Sequence, residues 1–503
     1  KTAEHLRPYA RDNDKPILAS WMGGDAVSPG EKTLNEAGLP TFAYPDTAAR
    51  VFNHMWRYSY NLRALYETPS LPEDEAGLPD REAAADIVAD THASGRVLMT
   101  EHASKQLLAA YGIPTVATHI ATTAAEAVNA AHAIGYSVAV KLHSTTITHK
   151  SDVGGVKLGL ATEEAVTEAF RDIEAAVPAD GFDGVTVQPM IDRSDGYELI
   201  IGSSMDEQFG PVLLFGSGGQ LVEVYKDRAL GLPPLNRTLA RRMMEQTDIY
   251  EALQGVRGRA PVDLDALESL LVRFSQLVVE QPRVKEIDVN PLLARPGEGG
   301  LLALDARVVL HPPSTSEAQL PTSAIRPYPR QYIGTHAVEG EDITIRPIRP
   351  EDEPKLVTFH ERLSERSVYL RYANLMKLEQ RVAHERLARI CFIDYDREMA
   401  LVAERATADD ENQIIGVGRL TKQPGRSEAE FGMLVIDEYQ GEGIGTELLR
   451  RLIDVGETEG LDRITADILQ QNHAMQRVCE KLGFDLVRGN GRDMVKAVKP
   501  LGA

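Results

Sequence analysis

The 503-residue chain carries 75 acidic against 54 basic residues, and a formal charge of −21 disfavours a general nucleic-acid surface. Its 43% hydrophobic and 26% charged residues describe ordinary globular material, enough for about three domains, with no apolar run long enough to span a bilayer and no secretory signal at the start. Cys391 and Cys479 lack CxxC spacing, which excludes a thiolate zinc site and a disulfide scaffold, so the expectation is a soluble cytoplasmic protein without a membrane or nucleic-acid partner.

In chain order, Lys15-Pro-Ile-Leu-Ala-Ser-Trp-Met-Gly-Gly24 reads as a strand, followed by a helix, the strand Leu39 to Tyr44 and a helix through Leu65. This is the grammar of an open α/β sheet, but the piece is short for a domain and the chain opens on Lys1, so an upstream part is expected. A linker rich in Pro and acid follows, from Pro69 to Ala84. The central unit alternates helix and strand: Glu101 to Tyr111, then Ile113-Pro-Thr, Ala124 to Ile134, and the strand Ser137 to Leu142. Further strands are expected at Val185 to Met190, Tyr197 to Gly202, Val212 to Phe215, Leu221 to Val224, Ile287 to Leu293 and Leu301 to Val309.

A second linker, Pro312 to Gly334, leads to a C-terminal unit with strands Ile343 to Ile348, Glu398 to Ala403, Gln413 to Arg419, Glu430 to Ile436 and Ile464 to Ile468. Thr407 to Asn412 is a polar loop inside this unit, and Gly483 stops the helix Ala474 to Lys481. The overall class is α/β and α+β multidomain.

The most informative segment is Gln440-Gly441-Glu442-Gly443-Ile444-Gly445-Thr446, which joins the strand 430–436 to a helix. A strand emptying through glycines into a helix N-terminus leaves free main-chain N–H groups that favour a pyrophosphate, although many such turns need glycine for steric reasons alone. The loop is followed by Asn472-x-x-Met475-x-x-x-Cys479-x-x-x-Gly483-Phe484. With the Glu-bearing strand before it, the combination over about 343–499 resembles the GNAT family of N-acetyltransferases.

That resemblance implies binding of acetyl-CoA. Gln440, Gly443 and Gly445 match the family's pyrophosphate pattern, the amides of 441–446 would hold the phosphates, Leu434, Val435 and Ile436 would pair with the pantetheine arm, and Asn472 would touch CoA. An amine nucleophile arrives as ammonium and must shed a proton, and Glu430 is the candidate base, with Glu428 or Glu438 as substitutes and a merely solvated carboxylate as the alternative. Family members often carry a Tyr at the Cys479 position to protonate the leaving thiolate; here Cys479 either serves as that acid or simply packs.

In the central unit, the words Val140-Lys141, His149-Lys-Ser-Asp-Val-Gly-Gly-Val156, Val187-Gln-Pro-Met190, Glu198-Leu-Ile-Ile-Gly202, Glu286-Ile-Asp-Val-Asn-Pro-Leu292 and Leu304-Asp305 follow in order. Together they resemble the ATP-grasp domain of NDP-forming acyl-CoA synthetases. The resemblance implies ATP and Mg²⁺: Lys141 on the phosphates, Val187, Gln188 and Met190 on the adenine hinge, Glu198 near the ribose or metal, and Asn290 and Asp305 as metal ligands, with Asp288 and Glu286 as alternates. His149 would relay phosphate or would only hydrogen-bond within its loop.

The domain expectation is therefore a CoA-ligase flavodoxin-like piece at 1–68, an ATP-grasp domain at 88–311, a linker at 312–340 and a GNAT domain at 341–500. The fusion resembles bacterial protein lysine acetyltransferases that modify acyl-CoA-forming enzymes, which implies a protein acceptor such as an acetyl-CoA synthetase. A bifunctional acyl-CoA ligase and a nucleotide-sensing ATP-grasp unit are the other readings, and a homo-oligomer is left open.

Overall fold

The computed structural model describes all residues except 11–14, 66–78, 148–149, 151, 220–226, 257, 298, 339, 407–411, 489–492 and 503, and leaves undescribed the side chains of 61–65, 318 and 488. His149, the expected strand Leu221 to Val224 and most of the loop Thr407 to Asn412 lie outside the described residues.

Two compact units divide the chain, Lys1–Glu67 and Thr68–Ala503. The first holds a parallel pair, β1 (Ala19–Ser20) and β2 (Thr41–Phe42), with helices α1 (Ser28–Glu36) and α2 (Pro45–Leu65). Leu34 and Leu39 form its small core.

The second unit opens with α3 (Arg81–Ala93), whose first turn is capped by Asp80 accepting from Ala83 N at 3.0 Å. The sequence reading carried the linker to Ala84; instead Ala84 and Val88 are buried in the central core, because the acid at 80 is a helix cap. Next come α4 (Glu101–Ala110), β3 (His119–Ala121), α5 (Ala124–Ile134), β4 (Val138–His143), β5 (Val156–Leu160), α6 (Glu163–Ala176) and β6 (Gly184–Pro189). The four strands form one sheet in the order β3-β6-β4-β5.

A six-stranded sheet follows, built from β7 (Tyr197–Asp206), β8 (Gly210–Ser217), β9 (Arg228–Gly231), β10 (Val284–Ala294), β11 (Leu301–Ala303) and β12 (Arg307–Leu310). Helix α7 (Leu264–Glu280) covers it with a face that buries Leu267, Leu271, Phe274 and Val278, spaced three or four apart as a helix demands.

The C-terminal eight-stranded sheet has strictly sequential order except at its end: β13 (Gly334–Val338), β14 (Glu341–Pro347), β15 (Glu398–Arg405), β16 (Gln413–Lys422), β17 (Glu428–Val435), β18 (Arg463–Leu469), then β20 (Met494–Pro500) and β19 (Asp485–Arg488). The expected linker 312–340 thus contains the first strand, which hairpins onto β14. Its later residues reach the C-terminal unit, where Tyr328 donates to Pro347 O at 2.8 Å and Arg326 to Glu459 at 3.0 Å, while its earlier ones hold to the central unit, Ala324 N donating to Phe209 O at 3.2 Å and Arg283 to Glu317 at 3.4 Å. Helices α8 (Glu353–Glu361), α9 (Glu365–Tyr372), α10 (His384–Cys391), α11 (Ile444–Thr458) and α12 (His473–Lys481) complete the unit. Leu448 and Leu452 of α11 settle over Gly416 and Gly418 of β16, where an added Cβ would come within 3.1 and 3.2 Å of their methyl groups. These two glycines let the helix approach the sheet closely and so fix where its N-terminus points.

Candidate functional site

Strand β17 pairs with β16 in unbroken antiparallel register from Lys422↔Ala429 to Gly416↔Val435. With β18 it is parallel and joined only at Glu428↔Arg463, Ala429↔Ile464 and Glu430↔Thr465. Beyond Glu430 the two strands part, β18 staying with β20, and a cavity of about 530 Å³ opens between them. Ile436 N donates to Ile415 O at 3.0 Å, and the antiparallel alternation then turns the amides of Met433 and Val435, beyond the last pairing with β18, away from β16 and into the gap. The cavity therefore has one wall of strand backbone with unspent donors.

At its end lies the glycine loop. Gly441 and Gly443 hold φ of +92° and +94°, a left-handed conformation that costs other residues energy. Gly443 is the N-cap of α11 and brings no side-chain cap, so the first amides of that helix keep no protein acceptor of the usual kind. Gln440 fastens the loop: its Nε2 donates to Val435 O at 2.9 Å and to Ser367 Oγ at 3.1 Å. Asp437 accepts from Ser364 N and Oγ and from Ser367 Oγ at 2.7–2.9 Å. Glu447, in the first turn, is bound by Arg450 at 2.6 Å and Arg451 at 2.8 Å, and hydrogen bonds from Arg450 above all hold its carboxyl down to about 2. The acid in the first turn of this helix is thereby neutralised.

Glu430, Leu434, Val435, Gln440, Gly441, Gly443, Gly445, Thr446 and Asn472 all line this cavity. Glu430 is exposed at the point where the strands separate, with no hydrogen bond or ion pair to its carboxylate among the described residues. Three expectations need correction, the main-chain roles of Leu434 and Ile436 and the acid role of Cys479. Ile436 is fully buried with its amide on Ile415 and its carbonyl on Tyr439, and the main chain of Leu434 faces β16, so Leu434 offers the cavity only its side chain. Ile444 is buried against Gly416, and Glu442 is exposed outside the cavity, so each could offer only its amide, which is what was expected of 441–446. Cys479 is buried in the core, where burial pushes its thiol up to about 12, and it does not line the cavity; packing explains it. Asn472 caps α12, accepting from Met475 N at 3.2 Å.

The central cavity, about 650 Å³, lies between the four-stranded and six-stranded sheets. Its centre is Glu101, the first residue of α4, buried and bonded to Lys105 at 2.8 Å, Lys141 at 3.0 Å, Lys150 at 2.6 Å and Gln188 Nε2 at 2.7 Å. Burial pushes its carboxyl up, but the three ammonium groups outweigh it and hold the pKa well below the usual range. Asp305 lines the same cavity without a lysine of its own; burial and repulsion from Glu101 raise its pKa. Asn290 Oδ1 accepts from Gly219 N at 2.9 Å, and Glu198 pairs with Arg193 at 2.9 Å.

Lys141, Gln188, Met190, Glu198, Asn290 and Asp305 therefore share one cavity. Val187 does not: it is fully buried in the core of the small sheet. Gln188 directs its side chain to Glu101, and the amide of Met190 is taken by Ser137 O at 3.0 Å, which leaves its half-exposed side chain, 41%, as the contribution to the wall. Glu101, Lys105 and Lys150 are absent from the sequence-based set. The Glu101/Lys105 pair, four apart on a helix face otherwise carrying Leu108, was the available signal. Among the described residues no three His, Cys, Asp or Glu side chains form a metal cage. The Asp305 carboxyl and the Asn290 carboxamide oxygen, lining one cavity, are nevertheless the oxygen donors that suit a Mg²⁺ held mainly by phosphates.

Fold and cavities together define a protein with a nucleotide-type module fused to an acyl-CoA-type module. Residues 90–310 match the ATP-grasp domain model and residues 342–485 the acetyltransferase (GNAT) domain model. The β subunit of ADP-forming acetate–CoA ligase I from Pyrococcus furiosus is 38% identical over 236 residues, 46% of this chain and 100% of the relative. An acetyltransferase of Pseudomonas aeruginosa is 32% identical over 155 residues, 30% of this chain and 81% of the relative. ADP-forming acetate–CoA ligase I of Archaeoglobus fulgidus is 37% identical over 300 residues, 59% of this chain and 42% of the relative, so the chain spans less than half of that longer protein. The chain belongs, segment by segment, to the ATP-grasp family of ADP-forming acyl-CoA ligases and to the GNAT acetyltransferases.

Proposed function

We propose that this chain transfers acetyl from acetyl-CoA to a lysine of a protein acceptor, such as an acetyl-CoA synthetase, in a cytoplasmic setting. The observation that carries the reading is the parting of β17 and β18 at Glu430, with main-chain donors along one side and the uncapped head of α11 at the end. In this reading the pantetheine arm lies along β17 and bonds Met433 and Val435, the pyrophosphate meets the amides of 441–446, and strand amides polarise the thioester carbonyl. Glu430 takes a proton from the lysine ammonium, directly or through water, and the free amine attacks the carbonyl. The C–S bond breaks and the CoA thiolate takes a proton from water, since Cys479 is out of reach. Labelled acetyl-CoA incubated with a purified acetyl-CoA synthetase tests this: label on a lysine supports it, and label confined to small amines removes the protein acceptor.

In the central cavity, bound Mg²⁺ and ATP would supply phosphoryl chemistry, with Asn290 and Asp305 as the metal's protein ligands. Lys141 and Lys150 would exchange Glu101 for phosphate oxygens, while Lys105, buried outside the cavity lining, stays with Glu101. That cluster favours a second reading, a bifunctional acyl-CoA ligase. Orthophosphate release from ATP, a carboxylic acid and CoA, lost in His149→Ala, would support it; ATP binding without turnover but with an altered transfer rate would support a sensor instead.

A further inference from the structure

Arg371, at the end of α9, lies across Gly432 of β17, where an added Cβ would stand 2.1 Å from its Nη2. It lines the 530 Å³ cavity on one side. On the other it lines a separate cavity of about 450 Å³ whose remaining charged walls are Arg386, Arg389, Arg419 and Glu385. Arg419 is satisfied by Glu398 and by Ile390 O at 2.7 Å. Among the described residues, no carboxylate stands in ion-pair range of Arg371, Arg386 or Arg389, and Arg386 Nε is buried without a hydrogen-bond partner. Arg371 and Arg386 instead flank the Tyr372 ring at 5.3 and 5.1 Å, which fixes them without neutralising them. Burial, with repulsion from Arg419 and Arg386, lowers the Arg371 pKa despite the opposing pull of Tyr372 and Glu430.

In a chain with a net charge of −21, three guanidinium groups out of ion-pair range of any described carboxylate, around a cavity whose one lining acid is Glu385, are an unmet demand for an anion. Glu430 and Gly432 share one face of β17, about 7 Å apart at the usual rise of a strand. An extended acceptor places side chains at positions i and i+2 with the same spacing. We infer that this cavity receives an acidic side chain of the acceptor, two residues from the lysine that meets Glu430. The inference rests on the protein-lysine reading and specifies its substrate: a lysine in an acidic segment, its neighbouring carboxylate gripped by Arg371 and, across the cavity, by Arg386 and Arg389.

The test uses the full chain, labelled acetyl-CoA and two extended lysine peptides that differ only in Glu or Gln two positions from the lysine. Wild type takes the Glu peptide with a KM about tenfold lower, and this ratio shrinks in Arg389→Gln, at an exposed position, and falls to about one in the double variant Arg386→Gln/Arg389→Gln. Equal KM values in wild type, or a ratio unchanged in both variants, overturn the assignment. Occupancy is read apart from transfer, as protection of Arg386 and Arg389 from phenylglyoxal by the Glu peptide and not by the Gln peptide. Protection without acetylation of either peptide sinks lysine transfer and leaves the cavity assignment standing; acetylation without protection sinks the cavity assignment alone.

Discussion

The C-terminal cavity would meet a polyanion with main-chain amides at the head of Ile444–Thr458, whereas the central cavity would meet one with Lys141 and Lys150, which are already bound to Glu101. The first kind of site is made by backbone geometry and needs no side-chain charge. Its first-turn acid, Glu447, is tied back by two arginines. The second is made by charge drawn from separate elements and held in balance by a buried carboxylate, so any ligand must displace that balance. One site is set by which residues are glycine, the other by which elements meet.

Four changes break or sharpen this contrast. Glu430→Gln removes the base while leaving the amide cradle intact, so kcat for acetyl transfer falls by about 10²–10⁴-fold and acetyl-CoA affinity is retained; transfer kinetics and calorimetry read the two separately. Glu101→Gln leaves one buried and two half-buried ammonium groups without their acid and costs the central unit about 3–5 kcal/mol in thermal unfolding. Added Mg-ATP recovers part of that loss, because phosphates replace the missing charge, while acetyl-CoA binding does not change.

Gly443→Ala meets nothing within 4 Å at its Cβ, so its cost is purely the left-handed φ of +94°. Acetyl-CoA affinity falls by about tenfold in calorimetry, the equivalent of 1–2 kcal/mol of backbone strain. The smallest effect concerns the linker. Burial pushes the Glu459 carboxyl up, but hydrogen bonds from Arg326 and Lys422 hold it at about 2 against an ordinary 4.5. Its folded-state pKa is depressed, so its contribution to stability is complete above pH 4.5 and is lost as pH falls toward 2. Glu459→Gln flattens the acid limb of the melting curve in that window.

The backbone site was largely legible in the sequence. Gly441 and Gly443 mark left-handed positions, and the run from Glu430 alternates as a strand, so loop and strand could be placed before the fold was seen. Which strand amides face the cavity could not, because it depends on the register with β16, and the pairing Gly416↔Val435 sends Leu434 and Ile436 the other way. The charge site was legible only in part. Lys141, Asn290 and Asp305 stood in recognisable words, but Glu101 reads locally as an ordinary first-turn acid, and its meeting with Lys141 and Lys150 is a long-range fact of two sheets facing each other. The arginine cavity beside Tyr372 was not legible at all, since Arg371, Arg386 and Arg389 are scattered along two helices whose packing alone brings them together.

The most direct measurement is the pH dependence of single-turnover acetyl transfer to a lysine acceptor at saturating acetyl-CoA, in wild type and Glu430→Gln. Without its base, the variant must wait for an amine of pKa about 10.4 to lose its proton to water, so its log rate rises with unit slope from about pH 7 to 9 while the wild-type profile is much flatter. Parallel profiles of equal height in the two proteins would contradict a proton-accepting Glu430 at the mouth of the acetyl-CoA cavity.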